Sequence, residues 1–237
     1  MNPRDGISAS YWHVRITAAL DMLEREARRM FQLEGELSQF AGEYYNAVGQ
    51  ATERLARLEQ YSTEPVPEEM NAMPAVLAQR DAGDERRVEL KSRYRSLAKE
   101  VHPDRAMVVE GTGKAASHMH MLNAAYQQGD LAVLLRIEAQ MVIERIQLDE
   151  NAKISEIENA LREIERAANT YAEGYRSMLN SPLNELMLRA MSARLAGWDW
   201  MEAVLRKVER NIEEKQRAIA LHYIAQIGEW RDETTAA

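Results

Sequence analysis

The segment of this chain best suited to chemistry is a tripeptide of histidine, proline and aspartate at residues 102–104. It follows residues 90–101, an amphipathic stretch whose apolar residues lie on one face of a helix. Pro103 biases His102 out of the helical region, so this helix is predicted to end at the tripeptide. A histidine and a carboxylate two residues apart are a weak signal by themselves, so the flanking residues carry the interpretation.

The helix before the tripeptide is basic, although the whole chain has a formal net charge of -8. Residues 86–105 contain seven basic residues against three acidic ones, which gives a local net charge of +4. A solvated helix face is the simplest interpretation of such a run of charge. The negative charge of the whole chain argues against a protein that binds nucleic acid or an anionic membrane.

The other polar residues form no catalytic or metal-binding pattern. The chain has no cysteine, and His118 and His120 are two residues apart, so on a helix they point in different directions. Residues 111–114 are Gly-Thr-Gly-Lys, but a phosphate-binding loop also needs an earlier glycine and a following serine or threonine. We therefore predict a protein that is not an enzyme and that holds neither a metal nor a cofactor.

The elements that position the tripeptide are predicted to be helices. Good helix formers are abundant, and no stretch alternates apolar and polar residues as a half-buried strand does. Between residues 16 and 58, small or apolar residues recur in steps of three and four, which is typical of a coiled-coil seam. Gly35, Gly42 and Gly49 recur one heptad apart and predict a groove for a closely packed helix, with a hinge as the alternative. The predicted fold class is all-α.

Prolines and polar segments divide the chain into four predicted parts. Residues 1–61 form an N-terminal coiled-coil helix, and residues 62–85 form a linker with room for a short helix at residues 73–79. Residues 86–130 contain the tripeptide between two helices. Residues 131–237 form a long helical hairpin that turns at Pro182, with a second helix from Leu183 to about Trp230.

Three long helices of similar length predict a long antiparallel three-helix bundle, with the tripeptide segment inserted at one end. A parallel homodimer, in which each seam pairs with its own copy, fits the same pattern, so both arrangements stay open. Trp198 and Trp200 cannot share one helix face, so one is predicted to lie in the core and the other to be exposed. No stretch suits a signal peptide or a membrane span, and a cytoplasmic location is the expectation.

Residues 86–130 resemble the J-domain of the DnaJ family of co-chaperones. The second helix of that family carries a Tyr-basic-x-Leu-Ala pattern before a His-Pro-Asp tripeptide, and the third carries an aromatic, an aliphatic, Asn, Ala and Tyr. The matching residues are Tyr94, Arg95, Leu97, Ala98, His102, Pro103, Asp104, Arg105, Leu122, Asn123, Ala125 and Tyr126, with Met119 in the aromatic position. The Tyr-x-x-Leu-Gly motif of the family's first helix is missing.

The resemblance implies a J-domain co-chaperone that binds a DnaK-type chaperone and stimulates its ATP hydrolysis. The residues implied to bind that partner are Lys91, Tyr94, Arg95, Lys99, His102, Pro103, Asp104 and Arg105. The residues implied to hold the two helices together are Leu97, Ala98, Leu122, Ala125 and Tyr126. The basic side chains would be steered to an acidic surface, and Pro103 would present His102 and Asp104 on a rigid bend.

Three hypotheses about the whole chain follow. In the first, coiled-coil arms recruit a client or partner protein to a DnaK-type chaperone. In the second, the chain is a coiled-coil scaffold with a degenerate, inactive J-like insert, and His102 can be replaced without consequence. In the third, a specialised co-chaperone delivers one client through its C-terminal hairpin, in an organisation similar to that of a J-domain protein serving iron-sulfur assembly.

Overall fold

The structure, a computed structural model, describes residues 9–59, 73–101, 112–148 and 154–235, and nearly all of them are helical. These ranges contain no strand, which confirms the predicted all-α fold class. The helices are α1 (Ala9–Tyr44), α2 (Gln50–Glu59), α3 (Met73–Val101), α4 (Thr112–Gln128), α5 (Leu131–Leu148), α6 (Ile154–Leu179), α7 (Pro182–Leu195) and α8 (Trp200–Thr235). No helix in the described ranges combines the length and apolarity needed to cross a bilayer.

The helices belong to two compact units. Unit 1 consists of Met1–Glu36 and Ala82–Asn180, and unit 2 consists of Leu37–Asp81 and Ser181–Ala237. Helices α1 and α3 each contribute residues to both units. The short helix predicted at residues 73–79 is the first part of α3, which continues without a break to Val101. Residues 73–85 are therefore helical and not a linker, while coiled-coil packing stays a prediction.

In unit 1, α5 runs antiparallel to α1. Arg28 of α1 forms a 3.1 Å ion pair with Asp130, which directly precedes α5. Further along α5, Arg136 pairs with Asp21, two turns earlier in α1. The buried residues of the core that these helices share with α6 are Ala19, Leu20, Leu23, Ala27, Ala132, Leu135, Ile143, Leu161, Ile164 and Ala168.

Helix α6 runs parallel to α1, which differs from the predicted arrangement. Arg15 lies 3.8 Å from Glu165, and Phe31, about four turns later in α1, contacts the ring of Tyr171 edge-on. The predicted hairpin of residues 131–237 allowed its first helix to begin as early as Leu131, but this part of the chain forms two helices, α5 and α6, of opposite direction. Apolar periodicity fits both helices equally well, since it contains no information on their direction.

Gly129 and Gly197 end α4 and α7 in the same way. Their φ angles are 70° and 82°, in the left-handed region that favours glycine. In each joint the glycine amide donates to the carbonyl three residues earlier, and the following amide donates to the carbonyl five residues before it. These two bonds satisfy carbonyls that the end of a helix otherwise leaves unpaired.

An aspartate starts the next helix in both joints. The Oδ1 atoms of Asp130 and Asp199 accept hydrogen bonds of 3.1 Å from the amides of Val133 and Glu202, respectively. The prediction of a single helix from Leu183 to about Trp230 is therefore wrong, because the joint around Gly197 divides it into α7 and α8.

Helix α8 packs along the end of the first long helix in unit 2. The ring of Trp200, its first residue, lies 6.0 Å from the ring of Tyr44, and the helix then contacts the segment after Tyr44 and α2. Helix α8 and the chain that leads from α1 into α2 run in the same direction. The first residue of α8 lies beside the last residue of α1, and α8 then follows the residues after Tyr44. Val204, Val208 and Ile212 are the residues of α8 that this packing buries.

A π-helical turn, Tyr45–Gly49, separates α1 from α2. Such a turn adds one residue to the helical repeat, so the buried face shifts. Thr52, four residues after the buried Val48, is buried, whereas the seam predicted from the sequence continues through Ala51. The ring of Tyr45 occupies the space beside Gly49, where an added Cβ would lie 2.6 Å from Tyr45 Cδ2. Around Gly42, no described atom lies within 4 Å of such a Cβ, so no closely packed helix occupies the predicted groove there.

Alanine at the two glycines is expected to have opposite effects on stability. Gly49→Ala forces the Tyr45 ring out of its position and should lower the free energy of unfolding by about 1–3 kcal/mol. Gly42→Ala adds a methyl group in open space and improves helix propensity, so it should raise the free energy of unfolding by about 1 kcal/mol. Chemical denaturation followed by circular dichroism measures both, and an equal change in the two variants would contradict the packing at the π-helical turn.

Candidate functional site

The two helices that flank the tripeptide in sequence, α3 and α4, form an antiparallel pair in unit 1. Leu97 and Val101 of α3 lie in one buried cluster with Leu122 and Ala125 of α4. These are three of the five residues that the J-domain resemblance assigned to this interface. Of the other two, Ala98 is half-buried, and the ring of Tyr126 stacks on Tyr94 of α3 beside the cluster.

Three polar and aromatic side chains join α3 to α4 beside this cluster. The Tyr94 hydroxyl donates a hydrogen bond of 2.7 Å to Asn123 Oδ1. The rings of Tyr94 and Tyr126 are stacked, with centroids 4.2 Å apart and planes 20° from parallel. Tyr94 was expected to contact a partner, but its ring and hydroxyl are used between the two helices.

Removing the Tyr94 hydroxyl tests this junction. Tyr94→Phe keeps the stacked ring but leaves Asn123 Oδ1 without this donor, and should lower the free energy of unfolding by about 1 kcal/mol. Tyr126→Phe is the matched control, because the Tyr126 hydroxyl has no hydrogen-bond partner among the described residues. Equal denaturation midpoints for Tyr94→Phe and the wild type would show that the hydrogen bond contributes nothing.

Helix α5 and one residue of α1 cover the apolar side of the pair. Leu131, Leu134 and Ile137 of α5 complete the buried cluster, and Phe31 packs against it. This covering layer is built from helices that the sequence analysis placed outside the J-like segment.

Two ion pairs fix α3 against α5. Arg93 Nη1 lies 2.5 Å from Glu138 Oε2, and Arg145 Nη2 lies 2.9 Å from Glu100 Oε2. Burial alone lowers the pKa of Arg93, but hydrogen bonds and charge from Glu89 and Glu138 outweigh it and raise that pKa. Arg93 thus pairs with Glu89 of its own helix and with Glu138 of α5.

Five basic residues of α3 fall into two groups. Arg86 and Arg93 point inward and form ion pairs with Glu34 and Glu138. Lys91, Arg95 and Lys99 are exposed, recur every fourth residue, and form no ion pair with any residue that the structure describes. We call these three residues the basic stripe; it lies away from the face of α3 that packs on α4.

His102, Pro103, Asp104 and Arg105 lie outside the described residues. In the sequence they follow α3 directly and precede α4, so the end of the basic stripe and the tripeptide are three residues apart along the chain. Of the eight residues assigned to partner binding, the structure thus describes four, and it places three of these in the basic stripe.

His118 and His120 differ in environment, as their spacing predicts. His118 is buried, with Nε2 3.6 Å from Glu144 Oε2, whereas His120 is exposed. In the part of the chain that the structure describes, no group of three or more acidic or histidine side chains is arranged to hold a metal ion.

A second feature lies at the joint between α7 and α8, where the sequence analysis predicted one core and one exposed tryptophan but no break between helices. Trp198 is exposed and Trp200 is half-buried against Tyr44, and both line one cavity of unit 2. The signals that mark this joint in the sequence are Gly197 and the Asp-x-x-Glu pattern of Asp199 and Glu202. The sequence analysis did not recognise these signals because the apolar residues on both sides of the joint keep a helical spacing.

Comparison with known proteins yields no relative: no protein-family model, no curated protein and no solved structure matches the chain. In unit 1, the paired helices α3 and α4 present the exposed cations of the basic stripe, which form no ion pair with a described residue.

Proposed function

We propose that the protein is a J-domain co-chaperone that binds a DnaK-type chaperone and stimulates its ATP hydrolysis. The observation that supports this most is the basic stripe. Lys91, Arg95 and Lys99 are exposed and without an ion pair among the described residues, on the helix that leads to the His-Pro-Asp tripeptide. The protein would catalyse no step itself.

The separation of the basic residues leaves a row of cations available to a partner. Arg86 and Arg93 have acidic partners inside unit 1, whereas the exposed stripe has none among the described residues. A chain of net charge -8 that presents a row of free cations attracts an acidic partner locally, while the rest of its surface repels it. That contrast favours one orientation of docking.

The rigid support of α3 also fits the proposal. Docking through a tripeptide requires that the two flanking helices hold it at a fixed angle, and a separate first helix with the family motif is missing here. In unit 1 the Arg93–Glu138 and Glu100–Arg145 ion pairs and the Leu131–Ile137 face of α5 stabilise the pair instead. We propose that α5 replaces the missing first helix.

A scaffold with an inactive J-like insert is the alternative. The feature that favours it is the continuity of α3, which extends from Met73 to Val101. The tripeptide therefore follows one long helix, and that helix begins well before residue 86, where the J-like segment was predicted to start. In both hypotheses, a client or partner protein binds elsewhere on the chain. A cytoplasmic location, expected from the sequence, fits either one.

Single-turnover ATP hydrolysis by a DnaK-type chaperone from the same organism separates the two hypotheses. Adding the wild-type protein should accelerate hydrolysis by at least about tenfold, which corresponds to about 1.4 kcal/mol of the barrier. Hydrolysis at the basal rate, with the protein in excess and correctly folded by circular dichroism, would contradict the co-chaperone proposal and favour the scaffold.

A further inference from the structure

Unit 2 contains an open cavity of about 450 Å³ at the joint between α7 and α8. Cavities that bind small ligands or single anchoring groups have volumes of roughly 300–1,000 Å³, so this one is large enough for one long side chain and its neighbours. Its aromatic lining is formed by Phe40, Trp198 and Trp200, and its other apolar contacts include Met191. Phe40 is buried and the other three are at least partly exposed.

The exposed tryptophan is held in place by the backbone and not by packing alone. Gly197 adopts a left-handed conformation, and the Trp198 amide donates to the Ala193 carbonyl, so the chain direction at Trp198 is fixed. Even so, 49% of Trp198 is exposed. A fixed aromatic residue that is half in solvent offers a large contact area and loses little conformational freedom on binding, which is typical of an interface anchor.

Apolar side chains continue from the cavity along α7. Leu188, Met191 and Leu195 recur at three- and four-residue steps on one face of α7, and all three are exposed, Leu195 by 90%. The other side of the helix is buried through Leu183 and Leu186. A stripe of three large apolar residues that ends at an exposed tryptophan is larger than the scattered apolar residues of an ordinary surface.

The charged residues that line the cavity indicate the charge of the group that it binds. Glu43, Arg194 and Asp199 all line it, yet none forms an ion pair with a described residue. One Asp199 oxygen caps α8 by accepting from the Glu202 amide, which leaves the other carboxylate oxygen available. Two carboxylates against one guanidinium, next to three aromatic rings, favour a cation, because an aromatic face attracts positive charge.

We infer that this cavity binds the lysine or arginine side chain of an apolar segment of a partner protein, whose flanking apolar residues lie on the α7 stripe. The cation contacts the Trp198 and Trp200 rings and pairs with Glu43 and Asp199. Arg194 opposes the cation and selects against a segment with two adjacent basic residues. The inference is independent of the co-chaperone proposal, because the cavity lies in unit 2 and the basic stripe lies in unit 1.

Fluorescence anisotropy with labelled seven-residue peptides tests the inference. The probe has a central arginine between two leucines on each side and capped alanine ends, and its matched control has a central glutamate. The full-length protein should bind the arginine peptide at least about tenfold more tightly than the glutamate peptide. Equal affinity for the two peptides, or no binding of either, would overturn the inference.

Variants at the cavity separate charge from aromatic contact. Trp198→Ala should weaken binding of the arginine peptide about fivefold or more, whereas Tyr223→Ala, an exposed aromatic residue of α8, should not change it. Glu43→Gln should weaken binding, and Arg194→Gln should strengthen it. The reverse order of the last two variants would indicate an anionic ligand and would overturn the inference.

Sedimentation of the wild type distinguishes a partner from a second copy of the chain. The inference expects the same sedimentation behaviour for wild type and Trp198→Ala over a wide range of concentration. Self-association that disappears in Trp198→Ala would show that this face joins two copies, and that would also overturn the inference. These experiments measure only peptide binding and self-association. A negative result would therefore contradict the cavity inference and would not bear on the stimulation of ATP hydrolysis.

Discussion

Reversing the charge of the basic stripe is expected to weaken binding to an ATP-loaded DnaK-type chaperone by roughly a hundredfold or more. The variant replaces Lys91, Arg95 and Lys99 together by glutamate. Each residue is exposed and has no ion pair with a described residue, so the reversal breaks no contact that stabilises unit 1. The variant replaces three positive charges that would attract the acidic surface expected on the chaperone by three negative charges that would repel it. Biolayer interferometry with immobilised chaperone measures the loss.

A matched single exchange controls for net charge. Arg95→Glu and Arg210→Glu change the charge of the chain equally, and both arginines are exposed helix residues without an ion pair among the described residues. Only Arg95→Glu should weaken binding, and the effect should shrink as salt screens the interaction. Equal affinities for the two variants would mean that the stripe is only a solvated helix face.

Truncating Leu122 is expected to cause the largest loss of stability in unit 1. Leu122 is 0% exposed and lies in the cluster that α3, α4 and α5 share. Leu122→Ala removes buried contacts and leaves a cavity that three packed helices can only partly close, so the free energy of unfolding should fall by about 2–5 kcal/mol. Thermal denaturation followed by circular dichroism measures this loss.

The same variant links packing to the proposed function. If α5 supports the helix pair, Leu122→Ala should also reduce stimulation of ATP hydrolysis at temperatures at which the chain is still folded. Leu221→Ala is the control, because Leu221 is 67% exposed and its truncation should change stability by less than about 0.5 kcal/mol. A similar loss of stability in both variants would mean that Leu122 is not part of a packed interface.

Much of the helical structure could be predicted from periodicity, but its interruptions could not. The apolar residues Leu97 and Val101 mark the buried face of α3 because one helix face is apolar and the other charged. The break at Gly197 was missed since the residues on both sides keep a helical spacing, and a single left-handed residue changes the direction without changing the pattern. The π-helical turn after Tyr44 was missed because the apolar spacing alone does not show the extra residue in that turn.

The composition of the site could be predicted only in part, because ion pairing depends on contacts distant in sequence. Arg86 and Arg93 look like Lys91 in the sequence, but their partners Glu34 and Glu138 are 52 and 45 residues away. The unpaired state of the stripe therefore became visible only when the helices were packed. Tyr94 was assigned to the partner surface by the J-domain resemblance, and its hydrogen bond to Asn123 became visible only when α3 was packed on α4.

The most direct test of the central claim is the loss of stimulated ATP hydrolysis in His102→Gln. Under single-turnover conditions with a DnaK-type chaperone, His102→Gln should return hydrolysis to its basal rate, and wild type should not. His120→Gln is the matched control, since His120 is an exposed histidine of α4 and its exchange should leave stimulation unchanged. Full stimulation by His102→Gln, or an equal loss in both variants, would contradict the claim that the tripeptide acts on the chaperone.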